Sequence, residues 1–146
     1  MKPQRHEDTK IFVKGSDAHA PLPPETEGIV SAVIDAAFKV HAALGPGLLE
    51  SIYEACICHE LNRRGISFNR QVAVPMLYEG MRLDGGLRLD LVVAELVVVE
   101  LKSVELMHPV YEAQLLSHLK LTGLRLGLLI NFNVPLIKHG IKRVII

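Results

Sequence analysis

Residues 87–104 read LRLDLVVAELVVVELKSV. Valine-rich runs on either side of Ala94-Glu95-Leu96 predict two strands, Leu87 to Val93 and Val97 to Val104, joined by a tight connection. The near-absence of polar interruptions implies strands covered on both faces. Three charged residues break the pattern: Asp90, Glu100 and Lys102. Strand side chains alternate, so Glu100 and Lys102 project from one face. A three-residue loop, with Val93 opposite Val97, pairs residues whose numbers sum to 190 and sets Asp90 across from Glu100. A two-residue loop without a bulge would turn Glu100 to the other face.

Working outward from this hairpin, the apolar positions Val30, Val33, Ile34, Ala37, Val40, His41 and Leu44 follow helical spacing over Thr26 to Leu44. Gly45-Pro46-Gly47 ends that helix, and a second runs from about Leu48 to Arg64, with Gly65 as its stop. Phe68 to Tyr78 reads as a strand interrupted at Pro75, followed by a Glu79-Gly80 turn, and Gly85-Gly86 precedes the strand Leu87 to Val93. After the hairpin, His108-Pro109 opens a third helix to about Thr122, closed by Gly123. Leu126 to Phe132 and Lys142 to Ile146 are the last strands, the final one expected at a sheet edge. The order α-α-β-β-β-α-β-β predicts an α/β fold, a mixed β-sheet flanked by helices. Residues 1–24, with four of the eight prolines, read as a flexible N-terminal leader, and residues 25–146 as a single domain.

Composition narrows the functions. The chain has 146 residues, enough for one core without disulfide staples. Sixteen basic residues balance sixteen acidic ones, which argues against a strong non-specific nucleic-acid binder but not against a local basic patch. Aromatics are 5% and Trp is absent, so a base-stacking platform is not expected. The longest apolar stretch, Leu91 to Leu101, contains Glu95 and Glu100 and is too short to span a bilayer. The first ten residues, MKPQRHEDTK, lack the apolar segment of a secretory signal, and the chain is expected to be cytoplasmic.

The intruding charges suggest chemistry. Two carboxylates and a lysine on neighbouring strands offset their burial by sharing a divalent cation and each other. Magnesium takes hard oxygen ligands, usually one or two carboxylates with water and substrate phosphate, and so suits phosphodiester hydrolysis. Glu-x-Lys by itself reads first as a solvated pair at a strand end; Asp90, ten residues earlier across the hairpin, brings the metal-site reading level with it. Glu50 shares a helix face with Tyr53, Ile57 and Leu61, pointing to the core edge, and also suits a first helical turn. Gln114 shares a face with Val110, Tyr111, His118 and Leu121, where it serves a metal-bound water, a phosphate or merely a polar edge.

Together these positions resemble a known family. GPGLLESIYEACICHEL at 45–61 matches the GxxExxY signature through Gly47, Glu50 and Tyr53. LRLDLVV, VVVELKSVE, EAQLLSHLKLTG and LGLLINFNVP follow in the family's order, so the resemblance covers about residues 26–146. The GxxExxY family is similar to a compact branch of the PD-(D/E)XK nuclease superfamily, with the restriction-endonuclease-like fold. The resemblance implies Asp90 as the central metal ligand, with Glu100 and Glu50 as further ligands. It also implies Glu100 and Lys102 as the E-x-K pair, Gln114 as the glutamine of the following helix, and Mg²⁺ or Mn²⁺ as cofactor. Two positions depart from the pattern: Leu89 replaces the proline that names the motif, and Tyr111 stands where a histidine is expected.

Other candidates weigh less. On a helix Cys56 and Cys58 point about 200° apart and share no metal; Cys56 reads as core and Cys58 as incidental. His41 reads as a hydrogen-bonded core residue, and His118 as a neighbour of the site. Arg63, Arg64 and Arg70 form one basic group, and Lys138, Lys142 and Arg143 another, either solvated or set against phosphates. The preferred reading is a metal-dependent nuclease on DNA or RNA, with a homodimer compatible with it. The alternative is a non-catalytic nucleic-acid-binding or protein-interaction module that keeps the fold.

Overall fold

The computed structural model describes residues 20–146. Residues 1–19, most of the expected leader, lie outside the described residues. Contact with the domain begins before residue 25: Arg125 Nη2 donates to Ala20 O at 2.7 Å, and Leu22 packs against the core.

The elements are α1 (Pro24–Leu44), α2 (Glu50–Arg63), β1 (Phe68–Tyr78), β2 (Met81–Val93), β3 (Val97–Lys102), α3 (Pro109–Thr122), β4 (Leu126–Asn131) and β5 (Ile141–Ile145). A 3₁₀ turn, Ile137–Gly140, precedes β5 and has no counterpart in the sequence reading. The five strands lie in the order β1-β2-β3-β4-β5. Only β3 and β4 are parallel, and α3 makes the crossover between them. β5 closes one edge, as expected.

Two cores form, one on each face of the sheet. Val33, Ala37 and Val40 of α1 and Tyr53, Ile57 and Leu61 of α2 pack on Leu91, Val93, Val97, Val99 and Leu101. On the opposite face Leu115 and Leu119 of α3 pack on Val92, Val98, Leu129 and Val144. β3 and β4 are buried on both faces, which explains their unbroken apolar runs. The approach of α3 depends on Gly127: a Cβ there would lie 2.7 Å from Leu115 Cδ1.

Several boundaries differ from the sequence reading by a residue or two, and the start of β2 by more. α2 begins at Glu50, because Leu48 and Leu49 remain extended or looped ahead of it. Gly85-Gly86 lies inside β2 rather than before it: the β1–β2 hairpin runs on to Tyr78↔Met81 around Glu79-Gly80, both at positive φ. Pro75 shifts the register between Val74 and Met76, as its missing N–H requires.

Candidate active site

The β2–β3 ladder pairs Leu91↔Val99, Val92↔Val98 and Val93↔Val97, all on the sum of 190 expected from the three-residue loop. Ala94 and Glu95 take left-handed conformations to close it, at φ 54° and 59°. Regular pairing stops at Leu91. The expected Asp90–Glu100 pair is not part of the ladder; Asp90 Oδ2 instead accepts the Leu101 N–H at 2.8 Å. A side chain thus replaces a ladder carbonyl where the two strands part.

Strict alternation also fails at Asp90. Leu89 packs into the α3-side core and Leu91 into the α1/α2-side core, although they are two residues apart. Across the hairpin, Gln71 lies between the paired positions Arg70↔Leu91 and Val72↔Leu89, and its φ is +50°. The pleat is broken there on both strands, which leaves the Asp90 carboxylate at the seam between the two faces. Burial, above all, pushes its pKa up to about 6. The Glu100 charge pushes in the same direction, the Leu101 N–H opposes it, and Glu54 and Glu50 add smaller upward pushes.

Glu100 is 9% exposed. Its Oε2 lies 3.3 Å from Nδ1 of the equally buried His118, on α3. Lys102, half-buried at the end of β3, places Nζ 4.3 Å from the centroid of the Tyr111 ring. The tyrosine that departs from the expected histidine is therefore the support of Lys102.

From α2, the structure brings a carboxylate that the sequence reading missed. Glu50 is exposed at the first turn rather than at the core edge. Glu54, one turn on, is buried and accepts Arg70 Nε at 3.0 Å and Gln71 Nε2 at 2.9 Å. It thereby holds the very residue that faces Asp90. The available signal was its i+4 spacing from Glu50.

Tyr53 shapes the loop before α2: its hydroxyl donates to Gly45 O at 2.6 Å and accepts the Leu48 N–H at 3.1 Å. Its ring stacks on Phe132 at 4.3 Å. Ser103 Oγ donates to Leu48 O at 2.6 Å, and Asn131 bonds both N–H and C=O of Val104. These contacts tie the end of β3, with Lys102, to the α2 loop and to β4. An open cleft of about 470 Å³ lies there, lined by Gly47, Leu48, Leu49, Ile52, Ser103 and Asn133.

Gln114 is exposed on α3 and makes no hydrogen bond to the other candidate residues. Among the described residues the two basic groups are largely paired, with Lys138 exposed beside the second. Arg63 and Arg64 pair with Glu60 and Arg70 with Glu54, while Lys142 pairs with Glu112 and Arg143 with Glu27. His41 is the expected core histidine, with Nε2 2.8 Å from Val134 O. The cysteines reverse their expected roles: Cys58 is buried in the core and Cys56 only packs against it. The turn of α2 that carries Glu54, Ile57 and Leu61 inward takes Cys58 with it.

The donor chemistry suits a hard divalent cation. Asp90 and Glu100 supply two carboxylates, their mutual repulsion contributes to the raised pKa, and Glu100 Oε2 is buried with no hydrogen-bond partner. Among the described residues no three His, Cys, Asp or Glu side chains are grouped to hold an ion. Two carboxylates completed by water and phosphate oxygens are the arrangement Mg²⁺ commonly takes. No helix among the described residues is long and apolar enough to cross a membrane. The sequence profile of the PD-(D/E)XK nuclease superfamily matches residues 27–144. No curated protein and no solved structure matches the chain.

Proposed function

Because the chain belongs to the PD-(D/E)XK nuclease superfamily, we propose that it is a Mg²⁺- or Mn²⁺-dependent phosphodiesterase of the GxxExxY branch, acting on DNA or RNA in the cytoplasm. The observation that carries this reading is the convergence of Asp90 and Glu100 where β2 and β3 separate, with Lys102 held over Tyr111 two residues on. Asp90 and Glu100 would hold the cation, which would supply a bound water of lowered pKa and positive charge against the phosphate oxygens. Lys102 orients the attacking water or neutralises a non-bridging phosphate oxygen. Tyr111 limits where the lysine can point, and the Ser103 and Asn131 contacts fix the backbone beneath it. Glu50 lies at the mouth of the site, near enough for its charge to act on Asp90, and would contact the cation through water. Gln114 would be recruited by substrate, since it meets none of the other groups without it.

One observation favours the interaction-module alternative: four of the seven arginines among the described residues meet acidic partners, which lowers the positive surface open to a long duplex without cancelling it, since Lys39, Arg63 and Arg64 share the one Glu60 carboxylate. A short or single-stranded substrate held mainly through the cation reconciles this with catalysis.

The test is cleavage of single- and double-stranded DNA and RNA with Mg²⁺ or Mn²⁺, alongside thermal melting with and without the cation. The expected result is cation-dependent cleavage and a cation-dependent rise in Tm. No cleavage and no rise at millimolar cation would overturn the nuclease reading. Lys102→Met should lower cleavage about 100-fold or more while the cation-dependent rise in Tm persists, because lysine positions reacting groups and does not ligate.

A further inference from the structure

The pair formed by Glu100 and His118 calls for an explanation. Both residues are buried, with side chains 11% and 10% exposed, on different elements, β3 and α3. Glu100 Oε2 and His118 Nδ1 are 3.3 Å apart, yet neither atom has a hydrogen-bond partner. A buried carboxylate oxygen left unbonded is costly, and the imidazole 3.3 Å away is a group able to relieve it. α3 is set at this depth by Leu115 against Gly127, and Leu115 lies one helical turn before His118.

We propose that His118 is a positioning residue for the cation site: its Nδ1–H donates to Glu100 Oε2, fixes the carboxylate rotamer and turns Oε1 toward the ion shared with Asp90. The inference rests on the metal-dependent reading above. It concerns a residue one layer removed from the cation. Groups that hydrogen-bond a ligating carboxylate commonly govern metal affinity by about 10–100-fold. A donor at Nδ1 would supply the bond that Glu100 Oε2 lacks.

The position of the donor atom makes the test specific. An asparagine amide nitrogen falls near the imidazole Nδ1, whereas a glutamine amide nitrogen falls near Nε2. Mn²⁺ affinity, read from the electron paramagnetic resonance signal of free Mn²⁺, should fall about 10–100-fold in His118→Leu and in His118→Gln. In His118→Asn it should stay within about threefold of wild type. Circular dichroism checks that each variant is folded; if His118→Leu is not, the Asn–Gln contrast still decides. Equal affinities in His118→Asn and His118→Gln, or wild-type affinity in His118→Leu, would overturn the assignment while leaving the nuclease reading intact. Absence of Mn²⁺ binding by the wild type would instead remove the cation site itself, and the inference with it.

Discussion

Asp90→Asn is expected to do two opposite things: abolish the stabilisation that divalent cation confers, and make the cation-free protein more stable at pH 7. The asparagine Oδ1 can still accept the Leu101 N–H, so the shape of the strand junction is kept. What goes is a charge held among burial, Glu100, Glu54 and Glu50. Its folded-state pKa of about 6, against an ordinary value of 3.8, means the folded protein binds this proton more tightly than the unfolded chain. Stability from Asp90 therefore falls as pH rises from about 4 to about 6 and is flat above. The full difference would correspond to about 3 kcal/mol. Asp90 is only partly buried, so about 1–2 kcal/mol after solvent screening is the better expectation. Denaturant melts from pH 4 to 8 should show the variant gaining on wild type across that window and holding its gain at pH 7. With cation at a hundred times its Kd, wild type should gain about 2.7 kcal/mol and the variant nothing. Cleavage should be lost with it. A variant that melts like wild type with and without cation would show that Asp90 holds no ion.

Gly140→Ala should be the most damaging single methyl in the chain. A Cβ at this position would lie 2.1 Å from the backbone oxygen of Asn131 and 3.1 Å from Val134 Cγ2. The nearer obstacle is main chain inside the sheet, so rotamer adjustment cannot relieve it. Overpacking usually costs about 1–3 kcal/mol, and a backbone clash belongs at or above the upper end. The expected fall in Tm is on the order of 10 °C. The effect should reach the site as well: Asn131 bonds both polar groups of Val104, two residues after Lys102. Any Gly140→Ala protein that folds should therefore bind cation through Asp90 and Glu100 but cleave poorly. A Tm within about 2 °C of wild type would mean the β4–β5 junction is far more pliant than its packing implies.

The hairpin at 87–104 determined much of this from the chain alone. Two valine-rich runs separated by three residues set the register summing to 190 that the ladder keeps from Val93↔Val97 to Leu91↔Val99. The helices and the belonging of Glu100 and Lys102 to one face follow from periods of 3.6 and 2 residues, which local sequence carries. Membership of the PD-(D/E)XK superfamily follows from the same ordered motifs. Tertiary structure decided what depends on angles between elements. The phase of α2 against the sheet chose Glu54 and Cys58 for burial and left Glu50 exposed, a rotation smaller than helical periodicity resolves. The break in the pleat at Gln71 and Asp90 sent Leu89 and Leu91 to opposite cores, against alternation. Arg70 meets Glu54, and Lys102 meets Tyr111, only after layers far apart in the chain have docked. His118 reaches Glu100 because Gly127 lets α3 approach the sheet closely, a distance set by packing between chain segments and not by the spacing of residues along either one.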